Sequence, residues 1–91
     1  MGRKEQHELD HLFGLSSAER KALMLYNDDH NYFDFVIESL IKVCNHTEEQ
    51  AEQCAMIVHF KGKCDVKQGE YETLNPMREA LTKRGLSATI E

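Results

Sequence analysis

The stretch Leu23-Met24-Leu25-Tyr26-Asn27-Asp28-Asp29-His30-Asn31 joins an apolar run to three consecutive carboxamide or carboxylate side chains. Residues 21–26 are mostly apolar and alternate imperfectly, which predicts a short strand that is buried on at least one face. Asn and Asp favour turns because their side chains hydrogen-bond to nearby backbone groups. A strand that ends in this way and leads into a helix would create a compact site rich in hydrogen-bond acceptors.

Two helices are predicted directly after this stretch. Asn31 suits the N-cap of the first, whose apolar residues recur at helical spacing: Phe33, Val36, Ile37, Leu40, Ile41 and Cys44. The second begins at a capping box, Thr47-Glu48-Glu49-Gln50, and ends at Lys61-Gly62. Its apolar stripe consists of Ala51, Cys54, Ala55 and Val58, and His59 lies at the edge of that stripe.

The C-terminal third predicts a strand, a helix and a closing strand. Residues 63–67 alternate with period two and are followed by a predicted turn at 68–70. We expect Pro76 in the first turn of the third helix, with Thr73 or Asn75 as its cap. Residues 86–90 alternate again. The order predicts an α+β fold in which three helices pack on one face of a three-stranded antiparallel sheet, β-α-α-β-α-β.

Length and composition predict one small domain. The chain has 91 residues, of which 41% are hydrophobic and 30% charged, as in ordinary globular domains. We assign the core to residues 21–91 and expect residues 1–20 to form a flexible arm that could dock through Leu12, Phe13 or Leu15. A core of this size leaves little room for a deep enzymatic cavity, so a shallow surface site is expected.

Acidic side chains are concentrated in the middle of the chain. The net charge is −5, and residues 27–54 contain seven acids and one lysine. Nucleic acid is therefore excluded as a partner, because phosphate binding requires a basic face. The acidic segment either binds a positively charged ligand or is simply a solvated face.

The cysteines and the apolar runs predict a cytoplasmic protein. Cys44, Cys54 and Cys64 show no CxxC spacing, and each falls on an apolar face, so we interpret them as small buried hydrophobic residues in a reducing compartment. No apolar run approaches the length of a membrane-spanning helix, and the first residues lack the apolar region of a signal peptide.

Sequence motifs give no indication of an enzyme. There is no G-x-S-x-G nucleophile motif and no phosphate-binding loop. The best candidate site combines Asn27, Asp28 and Asp29 with His59. Converging acceptors would suit a primary ammonium group, which has three donors and a charge. A metal site that includes His30, or a purely structural turn, remains an alternative, and we expect no cofactor.

Two motifs resemble the ClpS family, adaptors that deliver N-degron substrates to the AAA+ unfoldase of the Clp protease. The first is Leu25-Tyr26-Asn27-Asp28-Asp29 followed by Phe33-x-Phe35-Val36, and the second is Val58-His59-Phe60-x-Gly62-Lys63. Their separation also matches the family. The resemblance implies that Asn27, Asp29 and His59 bind a substrate's α-amino group. It further implies a hydrophobic pocket for a bulky first residue, lined by Asp28, Asn31, Phe33, Ala55, Val58 and Leu86.

The chain departs from the family at several positions. Phe33 replaces the usual gatekeeping Met, and Ala55 stands where a Met is common, so the side-chain preference could shift. The segment between Lys63 and Leu86 is shorter than in the familiar form. Glu72 and Thr73 match part of the family's unfoldase-docking region.

The resemblance implies N-degron proteins or peptides and a ClpA-like or ClpC-like unfoldase as partners. We also expect a monomer when the protein is free, with residues 1–20 contacting the unfoldase. The alternative is a related regulator that docks on the unfoldase and alters its substrate choice without binding N-degrons.

Overall fold

In the computed structural model, which describes residues 20–91, six elements follow one another in the predicted order. They are β1 (Arg20–Tyr26), α1 (Phe33–Cys44), α2 (Glu48–Lys61), β2 (Lys63–Glu70), α3 (Tyr71–Lys83) and β3 (Ser87–Ile90). The predictions for the N-terminal arm and its apolar residues lie outside the described residues, except at Arg20.

The sheet is antiparallel, with β1 between β2 and β3. Leu25 of β1 pairs with Cys64 on one side and Ala88 on the other, whereas the adjacent Met24 pairs with Asp65 and Thr89. Side chains alternate between the two faces of a strand, so the first set forms the core face and the second the outer face. The buried core joins this face to all three helices, which confirms the predicted α+β architecture.

Both ends of α2 follow the sequence prediction. The Gln50 amide donates to Thr47 Oγ1 at 3.1 Å, and the Thr47 amide donates to Gln50 Oε1 at 2.9 Å, so the capping box is confirmed. At the other end Gly62 adopts φ +95°, and its amide donates to the Val58 carbonyl. Only glycine adopts this left-handed conformation without strain, so α2 ends abruptly and β2 begins at the next residue.

The predicted N-cap of α1 is wrong. Tyr32 occupies the N-cap and its side chain makes no capping hydrogen bond. Asn31 instead donates through Nδ2 to both carboxylate oxygens of Asp28, at 2.9 and 3.0 Å, and to the Gly85 carbonyl at 3.0 Å. Asp28 Oδ1 also accepts from the backbone amides of His30 and Asn31. Asn31 therefore ties the β1–α1 loop to the α3–β3 turn.

The predicted start of α3 is also wrong. Residues 68–70 are not a turn but continue β2, because β1 supplies pairing partners as far as Arg20. The helix consequently begins at Tyr71, and Pro76 is its sixth residue rather than part of its first turn. Asn75, which was a predicted cap, accepts hydrogen bonds from Arg78 inside the helix.

The cysteines are free thiols in or beside the core. The prediction of burial is confirmed for Cys44 and Cys64, while Cys54 is half-buried. Burial raises the pKa of the Cys44 thiol to about 11, and burial together with a hydrogen bond to Cys54 raises the pKa of Cys64 to about 12. Both thiols therefore stay neutral near neutral pH and pack as small apolar groups.

Thr47→Ala tests the capping box. The variant should lose about 1 kcal/mol of unfolding free energy, because one orphan amide of α2 loses its acceptor. Urea denaturation followed by circular dichroism measures this change. Thr73→Ala, in the exposed first turn of α3, is the matched control and should change the unfolding free energy by only a few tenths of a kcal/mol. Equal losses in the two variants would contradict a specific capping role.

Asn31→Ala tests the link between the two loops. Removing the three hydrogen bonds donated by Nδ2 should cost about 1–3 kcal/mol of unfolding free energy. It should also speed amide hydrogen exchange at His30, since the Asp28 carboxylate would no longer be held in place. Gln53→Ala, which removes an exposed side-chain amide from α2, should leave both quantities unchanged. If the His30 amide of Asn31→Ala exchanges at the rate of the unmodified protein, Asn31 does not hold the Asp28 carboxylate in place.

Candidate functional site

A cavity of about 420 Å³ lies where the end of β1, the start of α1 and the end of α2 meet. We call it the β1–α1 cavity. Its walls contain all nine residues assigned above to amine binding or to the hydrophobic pocket: Asn27, Asp28, Asp29, Asn31, Phe33, Ala55, Val58, His59 and Leu86. Residues that are up to 59 positions apart in the chain (27 to 86) therefore surround one space.

Backbone hydrogen bonds bring the two halves of the candidate site together. The Asn27 amide donates to the Gly62 carbonyl at 2.8 Å, immediately after the last residue of β1. The Gly62 amide in turn donates to Val58 at 2.9 Å. The Asn27-Asp28-Asp29 turn is thus bonded to the helix end that carries His59, and the arrangement does not depend on the side chains of the site.

The cavity has a polar mouth and an apolar floor. Asn27, Asp29 and His59 are exposed, whereas the floor residues Ala55 and Val58 are 3% and 5% exposed. Oxygen acceptors at the mouth suit a cationic donor group, and the floor suits an apolar side chain attached to it. The site can therefore hold a ligand that has an ammonium group at one end and a hydrophobic group close by.

One wall of the cavity is stiffened by the loop hydrogen bonds. Asp28 and Asn31 are half-buried and direct their polar atoms mainly toward each other. The hydrogen bond from Asn31 to the Gly85 carbonyl holds the backbone immediately before Leu86. Leu86 is a buried residue of the cavity floor. These two polar residues thereby act as wall rather than as free ligands.

Sequence reasoning missed four lining residues. Leu25, Tyr26, Tyr32 and Val36 also border the cavity. Leu25 and Val36 belong to the apolar patterns of β1 and α1, where a lining residue and a core residue look alike. Tyr26 and Tyr32 directly flank the polar segment 27–31. Their position next to the candidate residues could have identified them as part of the lining.

Other candidate residues lie elsewhere. Glu72 and Thr73 are exposed in the first turn of α3 and do not line the cavity. His30, considered as a metal ligand, is also absent from the lining. Across residues 20–91, no group of three or more histidine, cysteine or acidic side chains is placed to hold a metal ion. No helix in this part of the chain is long and apolar enough to cross a membrane.

Comparison with solved structures gives a close match in fold. The structure of Agrobacterium tumefaciens ClpS2 bound to L-phenylalaninamide superposes with a TM-score of 0.74 at 26% sequence identity. The match covers 80% of this chain and 95% of the ClpS2 chain. The relative therefore has the same α+β architecture over nearly its whole length.

A family model agrees with this result. The model described as ATP-dependent Clp protease adaptor protein ClpS matches residues 16–89, which include the first five elements, all but the last residue of β3 and the whole cavity lining. The match spans far more than half of the chain, and both sequence motifs fall within it. The chain belongs to the ClpS family of Clp protease adaptors.

Proposed function

We propose that this protein is a non-enzymatic adaptor that binds N-degron proteins and delivers them to a Clp AAA+ unfoldase. Asn27, Asp29 and His59 would bind the free α-amino group, and the β1–α1 cavity would accept a bulky hydrophobic first residue. The observation that carries the proposal is the cavity itself, whose lining combines exposed hydrogen-bond acceptors with buried apolar side chains.

Amine recognition follows from the chemistry of the mouth. An α-amino group has an ordinary pKa near 8 and is mostly protonated at neutral pH. The ammonium group can donate three hydrogen bonds. Suitable acceptors are the side-chain carbonyl oxygen of Asn27, the Asp29 carboxylate and an imidazole nitrogen of His59. Charge-assisted hydrogen bonds are about twice as strong as neutral ones, so an acetylated N-terminus should bind poorly.

Side-chain recognition follows from the floor. Ala55, Val58 and Leu86 present apolar surface, and Phe33 borders the same space from α1. Burying a large apolar side chain contributes about 1.5–3 kcal/mol. The ligand in the ClpS2 structure, L-phenylalaninamide, combines a free α-amino group with a phenyl side chain, and this supports transferring the same ligand class to this chain.

Delivery requires a separate surface for the unfoldase. We place it on the exposed first turn of α3 at Glu72 and Thr73, away from the cavity, so that substrate and unfoldase can bind together. The partner would be a ClpA-like or ClpC-like unfoldase, the free adaptor would be a monomer, and both would act in the cytoplasm.

Amine binding is tested by fluorescence anisotropy with a labelled Phe-initiated peptide. Acetylating the peptide N-terminus should abolish binding, and Asp29→Ala should weaken it by about 10- to 100-fold, which corresponds to about 1–3 kcal/mol for a lost charged partner. Asp65→Ala removes a carboxylate from the outer face of the sheet and should have no effect. Equal binding of the acetylated peptide would refute amine recognition. Unfoldase binding without any peptide binding would indicate the regulator instead.

The floor is tested by Ala55→Met. Added volume at a buried position should exclude the largest first residues, so affinity for a Trp-initiated peptide should fall about tenfold, and affinity for a Leu-initiated peptide should fall less. Thermal melting checks that the variant folds. Ala22→Met, which adds the same side chain to the outer face of β1, should change neither affinity; equal losses for the two peptides in Ala55→Met would contradict selection by volume.

A further inference from the structure

Arg84, at the end of α3, reaches across to the middle of α1. Its Nε donates a hydrogen bond to Ser39 Oγ at 2.8 Å, and its Nη2 donates to Glu38 Oε1 at 3.2 Å. The guanidinium carbon also lies 5.0 Å from the centroid of the Phe35 ring. One side chain of α3 therefore contacts three neighbouring residues of α1.

The hydrogen bond to Ser39 is buried. Ser39 is 0% exposed, and within residues 20–91 it is the only polar residue that is fully buried. Its hydroxyl donates to the Phe35 carbonyl at 2.8 Å, which leaves the hydroxyl oxygen free to accept from Arg84. A buried oxygen without a donor would cost free energy, so this hydrogen bond specifically joins α3 to α1.

The ion pair with Glu38 is the weaker part of the contact. The Glu38 side chain is 51% exposed and also pairs with Lys42 at 3.2 Å. Water and salt screen exposed ion pairs, so they contribute little to stability. A planar guanidinium can donate to a buried oxygen and lie over an aromatic ring at the same time, whereas a lysine ammonium cannot. The contact thus requires arginine and not merely a positive charge.

The two residues after Arg84 connect this contact to the cavity. Gly85 adopts φ +90°, and its carbonyl accepts the hydrogen bond from Asn31. Leu86 is 5% exposed and lines the cavity, and its Cα lies at most about 7 Å from that of Arg84. The α3–β3 turn is therefore tied at two points, to the middle of α1 and to the loop before it, while Arg84 itself lies outside the cavity lining.

We propose that Arg84 is a positioning residue for selection of the first residue: it holds the α3–β3 turn against α1 and so limits how far Leu86 yields to a large side chain. Phe33 borders the cavity from α1, so the distance between α1 and this turn sets the room between Phe33 and Leu86. This inference rests on the proposed function. It adds a determinant of selectivity that does not touch the ligand.

The test compares Arg84→Lys with the unmodified protein in anisotropy titrations of Leu- and Trp-initiated peptides that share one tail. The variant keeps the charge but loses the contacts with Ser39 and Phe35. A Trp side chain should then displace Leu86 more easily, so the ratio of the Trp Kd to the Leu Kd should fall about fivefold, while the Leu Kd should change less than twofold. Arg78→Lys, at an α3 arginine that bonds within its own helix, is the matched control and should leave the ratio unchanged.

Ser39→Ala removes the buried acceptor from the other side of the same contact. It should lower the same ratio, and adding Arg84→Lys to it should lower the ratio little further, because both variants break one interaction. Thermal melting checks that each variant folds. If Arg84→Lys does not fold, the ratio in Ser39→Ala decides the test.

Three outcomes would overturn the positioning role of Arg84 alone. They are an unchanged ratio in the folded variants, an equal loss of affinity for both peptides, and the same shift of the ratio in Arg78→Lys. In each case, binding that acetylation still abolishes would leave the proposed function intact. If neither peptide binds the unmodified protein, or if acetylation has no effect, the proposed function fails and this inference fails with it.

Discussion

The hydrogen bond from the Asn27 amide to the Gly62 carbonyl is the constraint on which the candidate site depends. It joins the end of the central strand to the end of α2, and β2 starts at the next residue, where Lys63 pairs with Tyr26. The left-handed φ of +95° at Gly62 permits this reversal, and an added Cβ there would meet no atom within 4 Å. Glycine is thus required by the backbone conformation and not by lack of space.

The split between an exposed mouth and a buried floor determines how the site can discriminate. Exposed carboxylate and imidazole groups remain solvated in the free protein, so leaving them without a protein partner costs little free energy. Water and salt, however, weaken each of their interactions with an amine. The apolar floor contributes through burial and is insensitive to charge. Because neither half is strong alone, we expect a ligand to need both a free ammonium group and a large apolar side chain to bind well.

Sequence periodicity predicted most of the fold. α1 has an unbroken apolar stripe, and the Thr47 capping box and Gly62 mark the ends of α2 by local chemistry alone. The two errors arose where tertiary contacts decide the outcome. Asn31 has a partner from a loop 54 residues away, and pairing with β1 extends β2 past the expected turn, which moves the start of α3 ahead of Pro76.

The candidate site was predictable to the extent that it is held by local motifs. Asn27 and His59 were identified from the two motifs, since each motif is built around a helix or strand end. The cavity walls were harder to complete because Leu25 and Val36 follow the same apolar patterns as the core. The backbone bonds at Gly62 position the candidate residues Asn27 and His59, whereas side chains such as Phe33 and Ala55 shape the cavity. Under the proposed function, we therefore expect substitutions at Phe33 or Ala55 to change which first residue is accepted without disturbing the fold or the mouth of the cavity.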